Sequence, residues 1–359
     1  MDILQSTRDY EAWLAKQLTP IPADVDLKHQ RMAEGPFPFM RATFYRFAQT
    51  WPDVCPDLVA APTVLAVGDL HIENFGTWRD AEGRLIWGIN DFDEAYPMPY
   101  AVDLVRLATS AGLAIDGDHL TLDPTDACKA ILKGYQEALA DGGRPFVLAE
   151  NYQVLREWAL QRLRDPVAFW DKFKNLPPIE GDVPQEVHEM LKKMLPEPGL
   201  AYRLVHRIAG LGSLGRQRYV ALAQWRGGSV AREAKALAPS AWIWTQASPA
   251  SDELHYGKIM GSAVRMTDPW VSLEGRWILR RLSPDCQRIE LSSLPDNPNE
   301  LELLTAMGRE TANIHLGSGA AAVGAINDDL AKRDRKWLRK AAGAMLESIR
   351  ADWKQWKKR

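Results

Sequence analysis

The segment Val67–Gly76, V-G-D-L-H-I-E-N-F-G, decides how the rest of this chain is read. Ahead of it, the apolar run PTVLAV (62–67) predicts a short buried strand that stops at Gly68. Gly68 permits a tight turn, and Asp69 projects from the loop beyond it. Asn74 stands at Asp-x4-Asn spacing from Asp69. A second apolar run, RLIWGI (84–89), predicts another strand that ends at Asn90-Asp91-Phe92-Asp93-Glu94. Phosphoryl transfer needs little covalent work from a protein. It needs a carboxylate near the attacking hydroxyl and oxygen ligands for magnesium bridging the phosphates. Asp69 suits the first task, and Asn74 with Asp91 suits the second. Asp and Asn are also ordinary turn residues, so either loop alone reads as a plain turn. Gathered together, the carboxylates Asp69, Asp91, Asp93 and Glu94 call for a cation. His71 has two readings, a ligand or a hydrogen-bonding brace for the loop. Asp103, in A-V-D-L-V-R-L-A, either caps a helix or holds the Asp69 loop through its backbone amides.

Farther along, Ile208–Gly215 (I-A-G-L-G-S-L-G) contains a GxGxxG pattern. In a dinucleotide-binding unit the third glycine opens a helix, and an acidic residue such as Glu233 lies about 20 positions on. After Gly215 the chain instead reads RQRYVALAQWRGG, which is β-prone and ends in a Gly-Gly turn. A strand, glycine loop, strand order is that of a nucleotide-covering hairpin, with Gly210, Gly212, Ser213 and Gly215 against phosphates, or of a plain hairpin. On the next strand, S-V-A-R-E-A-K, Arg232 or Lys235 would face the phosphates, with Glu253 as a candidate ion-pair partner.

These motifs resemble a known family. GDLHIENFG is similar to the catalytic loop of aminoglycoside and choline kinases, and INDFDEA with DLVRLA to the metal-binding Asp motif and following helix there. Over residues 28–320 the chain also resembles an uncharacterised bacterial family of unknown function, through FPFMRATFYRF, GDLHIENFG, INDFDEA, DLVRLATS, GLGSLGRQRY, the REA strand and ETANIHLG. The resemblance implies an α+β, protein-kinase-like, two-lobed fold in permuted order. The Asp–Asn loop and metal Asp come first, then the glycine loop and cation. Glu310–Gly317 is similar to the helix that usually precedes the catalytic loop. Circular permutation is tolerated where old termini lie close together at the surface. Carried over, Asp69 is the catalytic carboxylate, Asn74 and Asp91 hold Mg2+, and the glycines cover the phosphates of ATP. Arg232 in the usual lysine position is the departure.

The expected organisation is a helical lobe over 1–195, a β-rich lobe over 196–290 and completing helices over 291–359. The Pro-rich stretch 175–199 reads as the linker. Helices are expected at 101–115, 125–140 and 299–316, then one long helix over 327–359 with Leu330, Trp337, Ala341, Met345, Ile349 and Trp353 on one face. A net charge of −3 gives no positive field for nucleic acid. No apolar stretch is long enough to span a membrane, the N-terminus has no signal-like apolar region, and three scattered cysteines suit a reducing cytoplasm. Three activities fit these features: an ATP-dependent phosphotransferase acting on a small molecule or protein, a non-catalytic nucleotide-binding regulator, and a metal-dependent phosphoesterase. The last lacks a second histidine-bearing motif.

Overall fold

Four helices open the chain: α1 (Ile3–Leu14), α2 (Pro22–Glu34), α3 (Pro36–Ala42) and α4 (Phe44–Val54). Asp2 caps α1 by accepting the Gln5 amide at 2.8 Å. Prolines start α2 and α3, where no amide hydrogen is needed. The aromatic run becomes the core side of α3 and α4, with Phe39, Phe44, Phe47 and Trp51 buried. The computed structural model describes residues 1–149, 151–162, 166–179, 181–246, 253–286, 288 and 299–359.

The two apolar runs form strands, as expected. The first is β1 (Thr63–Ala66); beyond the Asp69 loop come β2 (Phe75–Arg79) and β3 (Leu85–Ile89), the second run. After the turn at 90–95, β4 (Tyr96–Pro99) pairs with β1. Both acidic loops are thereby strapped between two small sheets. The helices α5 (Ala101–Asp116) and α6 (Pro124–Asp141) come next, then β5 (Phe146–Val147) on the edge of β3. Three further helices are α7 (Gln153–Arg162), α8 (Pro166–Lys174) and α9 (Gln185–Met194).

A separate sheet holds β6 (Tyr202–His206), β7 (Arg218–Trp225) and β8 (Gly228–Ala236). After α10 (Ala241–Trp244) and α11 (Tyr256–Ser262) it is completed by β9 (Val271–Glu274) and β10 (Trp277–Leu282) in the order β6-β7-β8-β10-β9. Among the described residues every strand pairing is antiparallel. One face buries Tyr219, Ala234 and Leu279 under Val187 and Leu191 of α9. The Pro-rich stretch expected as a linker therefore supplies a cover for this sheet, because its apolar pair needs burial. The other face packs Val205, Val220 and Leu282 against Phe173 of α8. Strand alternation places Arg218, Glu233, Lys235 and Arg280 on that same inner face.

The chain ends in α12 (Glu300–Leu316), α13 (Ala320–Lys332) and α14 (Trp337–Trp356). The single helix expected over 327–359 is broken at Arg333, whose backbone is extended, and Asp334 accepts the Lys336 amide at 2.8 Å. The buried stripe of α14 is Leu338, Ala342, Met345, Ile349 and Trp356, turned from the expected one by its packing on α5. The boundary expected between 290 and 291 lies outside the described residues. The result is an α+β fold with a large helical core and small antiparallel sheets. No helix among the described residues is long and apolar enough to cross a membrane.

Candidate functional site

Gly68 turns the chain at φ 82°, and a Cβ there would meet the Glu94 carbonyl at 2.6 Å. Only glycine lets the two acidic loops approach this closely. Asp103, fully buried in the first turn of α5, holds the turn from below. Its carboxylate accepts the amides of Val67 at 2.7 Å and Gly68 at 2.8 Å. The start of α5 has no side-chain cap, so Asp103 serves the loop rather than its own helix. His315 bonds the same carboxylate at 3.0 Å and Tyr135 at 2.8 Å. Ser110 accepts the Ile72 amide at 3.1 Å.

Asp69 is oriented by Arg106, whose Nε donates to Oδ1 at 2.9 Å. Arg106 is wholly buried, lies over the rings of Phe44 and Phe47 at 5.1 and 4.8 Å, and also donates to the Met40 carbonyl. Asn74 donates from Nδ2 to the carbonyls of Asp69 and Asp91, each at 3.1 Å. That leaves Asn74 Oδ1 buried with no hydrogen-bond partner. A buried acceptor without a donor is costly unless something else fills the position. A magnesium ion, which takes oxygen ligands and completes its shell with phosphates and water, fits Asn74 and Asp91 on this ground. Among the described residues no group of three His, Cys, Asp or Glu side chains is arranged to hold a metal alone. His71 does not brace the loop through Nδ1, which is buried without a partner. Burial, then the nearby Arg41 and Arg106 charges, hold its ring well below the usual histidine range.

The protein's own cations meet the acidic cluster. Lys235 reaches Asp93 at 2.6 Å and Asp91 at 3.4 Å, while Arg216 reaches Asp93 at 3.2 Å and Glu94 at 2.8 Å. These side chains supply cationic charge to the clustered carboxylates, so the cluster by itself does not require a metal. Burial works to raise the Asp91 carboxyl, but the Lys235 charge, a hydrogen bond with Asp93 and the Arg280 and Arg218 charges together outweigh it and hold the group below the usual range. Asp93 goes the other way, raised by burial and then by the charge on Asp91. Burial raises Glu94 as well, opposed by Arg216.

The glycine segment connects β6 to β7, so it is a hairpin loop and not a strand-to-helix turn. It folds down onto Asp69: a Cβ on Gly212 would stand 3.2 Å from Asp69 Oδ2 and 3.1 Å from the Arg41 carbonyl. Lys28 of α2 donates to the Gly212 carbonyl at 3.2 Å, and burial lowers its ammonium to about 8. Gly210, Gly212 and Ser213 line the space above Asp69. Gly215 does not. Its carbonyl accepts the Ile21 amide at 2.9 Å, and its Cα faces Val25. Arg232 is likewise not brought to the site. Odd and even positions of β8 face opposite ways, so Arg232 lies over Trp270 and donates to the Met194 carbonyl at 2.9 Å. Glu253 pairs loosely with His255 at 3.8 Å, and the partner of Lys235 is Asp93. Glu233 is bonded by Arg207, Arg218 and Arg280 and so is not a free ribose acceptor.

Two spaces meet at Asn90, Asp91 and Gly210. A chamber of about 80 Å³ holds Asp69, His71, Asn74 and Lys28. A cleft of about 670 Å³ runs from Asp91 and Phe92 along the inner face of the large sheet. Its size falls in the range of small-molecule sites, roughly 300–1,000 Å³.

A family described as "Uncharacterized protein conserved in bacteria (DUF2252)" matches residues 20–167 and 201–359. The chain belongs to that family. No curated protein and no solved structure matches it. In this member of the family, three site residues had gone unread in the sequence: Lys28, Arg106 and Arg216. Arg106 did leave a signal, since an arginine inside the apolar helix V-D-L-V-R-L-A needs a buried partner. Lys28 left none, because α2 looks like a solvated helix until it is docked.

Proposed function

We propose that this chain is an ATP-dependent phosphotransferase on a circularly permuted protein-kinase-like scaffold, acting on a hydroxyl of a small molecule or protein in the cytoplasm. The observation that carries the reading is the buried, unpartnered Oδ1 of Asn74 beside Asp91. Asn74 and Asp91 would hold magnesium, which supplies charge neutralisation to the phosphates when bound. Lys235, on the inner face beside Asp91, suits a phosphate-gripping cation. Asp69, fixed by Arg106, orients the acceptor hydroxyl and receives its proton as the hydroxyl oxygen bonds to the terminal phosphorus and the bridging P–O bond to the nucleoside diphosphate breaks. Support for permuted order comes from Ser318, just past α12, which accepts the Leu65 amide of β1 at 2.9 Å. The helix similar to the one that precedes a kinase catalytic loop thus ends beside the strand that leads to Asp69.

Lys235, not Arg232, is the cation beside Asp91, so a missing lysine does not argue for the non-catalytic alternative. One observation still favours it: Gly212 lies on the Asp69 carboxylate, where an acceptor would have to enter. Thermal unfolding with Mg-ATP, Mg-GTP and Mg2+ alone tests the shared claim. A nucleotide at about 100 times its Kd stabilises by about 2.7 kcal/mol, a readable rise in Tm. No rise with either nucleotide removes both readings. Asp69→Asn then separates them, since nucleotide binding persists in each but only the phosphotransferase has ATP turnover to lose.

A further inference from the structure

The large cleft is more cationic than a magnesium nucleotide requires. Among its described lining residues nine are Lys or Arg and three are Asp or Glu. Arg207, Arg218 and Arg280 are committed to Glu233, which leaves that group of four with a net positive charge. Arg265 and Arg281 are placed differently. The Arg265 guanidinium lies over the rings of Trp78 and Phe92 at 4.7 and 4.9 Å, and its Nη1 is buried without a hydrogen-bond partner. Arg281, the register partner of Arg232, shares Trp270 with it at 5.3 Å, yet it also reaches the lining of the cleft, and its Nε is buried and unpartnered. Among the described residues neither makes an ion pair. Asp268, an acid on the same wall, spends Oδ1 on the Trp270 amide at 2.9 Å.

A partly buried guanidinium with no direct ion pair is costly, and for Arg265 the nearby Glu310 and Asp268 charges offset burial only in part. Aromatic faces offset part of that cost and hold the planar fork in one orientation. Such a fork is built to receive anionic oxygens two at a time. Phe92, which holds Arg265, is the residue after Asp91, so an anion on Arg265 would lie beside the metal-binding turn.

We infer that the Arg265–Arg281 wall is a binding subsite for a second ligand, a small molecule with clustered anionic oxygens from phosphate or carboxylate groups. Its identity as the phosphoryl acceptor rests on the reading proposed above; the anion subsite does not.

Titration calorimetry on the full chain, without metal, tests this with pyrophosphate and with citrate. The wild type and Asp91→Asn should bind at least one of them, and the better binder tells phosphate from carboxylate. Affinity should fall at least tenfold in the Arg265→Gln/Arg281→Gln double variant, with Mg-ATP binding kept. Arg265→Lys and Arg281→Lys, which keep the charge and lose the fork, should fall between and cover the case of a double variant that does not fold. Binding of neither anion to the wild type overturns the inference. So does equal affinity in the variants, which would mark adventitious binding elsewhere. Joint loss of pyrophosphate and Mg-ATP in the double variant assigns the arginines to the nucleotide and overturns the second ligand. Arginine-dependent anion binding with no Mg-ATP binding in the wild type would leave the subsite standing and remove the nucleotide reading.

Discussion

Asp103 makes three hydrogen bonds with two carboxylate oxygens, and each partner is buried. Asp103→Ala leaves the Val67 and Gly68 amides and His315 without an acceptor, a loss of about 3–5 kcal/mol. Urea unfolding measures it; a cost below about 1 kcal/mol would mean the loop is held by other contacts. Glu310 carries a different residue-scale prediction. Burial raises its carboxyl to about 7, opposed by Arg265 and by bonds from Asn313 and Ile89. The folded state then binds this proton more tightly than the unfolded chain, whose ordinary value is 4.5. Stability from this group is present below pH 4.5 and falls as pH rises to 7. Glu310→Gln should therefore stabilise at pH 8 by up to about 3 kcal/mol and make no difference near pH 4.5. Identical pH dependence in wild type and variant would remove the ionisation from the account.

At the scale of elements, β8 shows what a strand hides in a sequence. S-V-A-R-E-A-K reads as a strand with two cations, but not with a named inner face. Pairing with β7 and β10 sets the register, and register decides that Glu233 and Lys235 lie on the inner face, where Lys235 reaches the acidic loops, while Arg232 lies on the opposite face. The consequence is measurable. Lys235→Met should abolish the Mg-ATP thermal shift, and Arg232→Met should keep it. The reverse pattern would restore Arg232 to the phosphate site. The break between α13 and α14 has a similar cause. The apolar periodicity runs through Arg333, and only the docking of α14 on α5 chooses which stripe is buried.

For the whole molecule, the site exists only where chain segments far apart in sequence meet. Lys28, Asp69, Asp91, Gly212 and Lys235 converge on one place from α2, two acidic loops, a hairpin loop and β8. A ligand bridging them should couple those segments. Mg-ATP is expected to slow amide exchange at 207–217 and 90–94 together, with α13 and α14 unchanged; slowing confined to one segment would separate the glycine loop from the acidic loops. The sequence by itself determined the local parts of this design. Apolar runs stopping at glycine or asparagine set the strands, and Asp69, Asn74 and Asp91 could be named because chemistry and spacing are local properties. Tertiary structure alone decided which charges are neutralised by the protein, which face of β8 looks inward, and that Lys28 and Arg216 belong to the site. Those outcomes depend on register and docking, which are fixed by burial across the whole fold and leave no mark within any one segment.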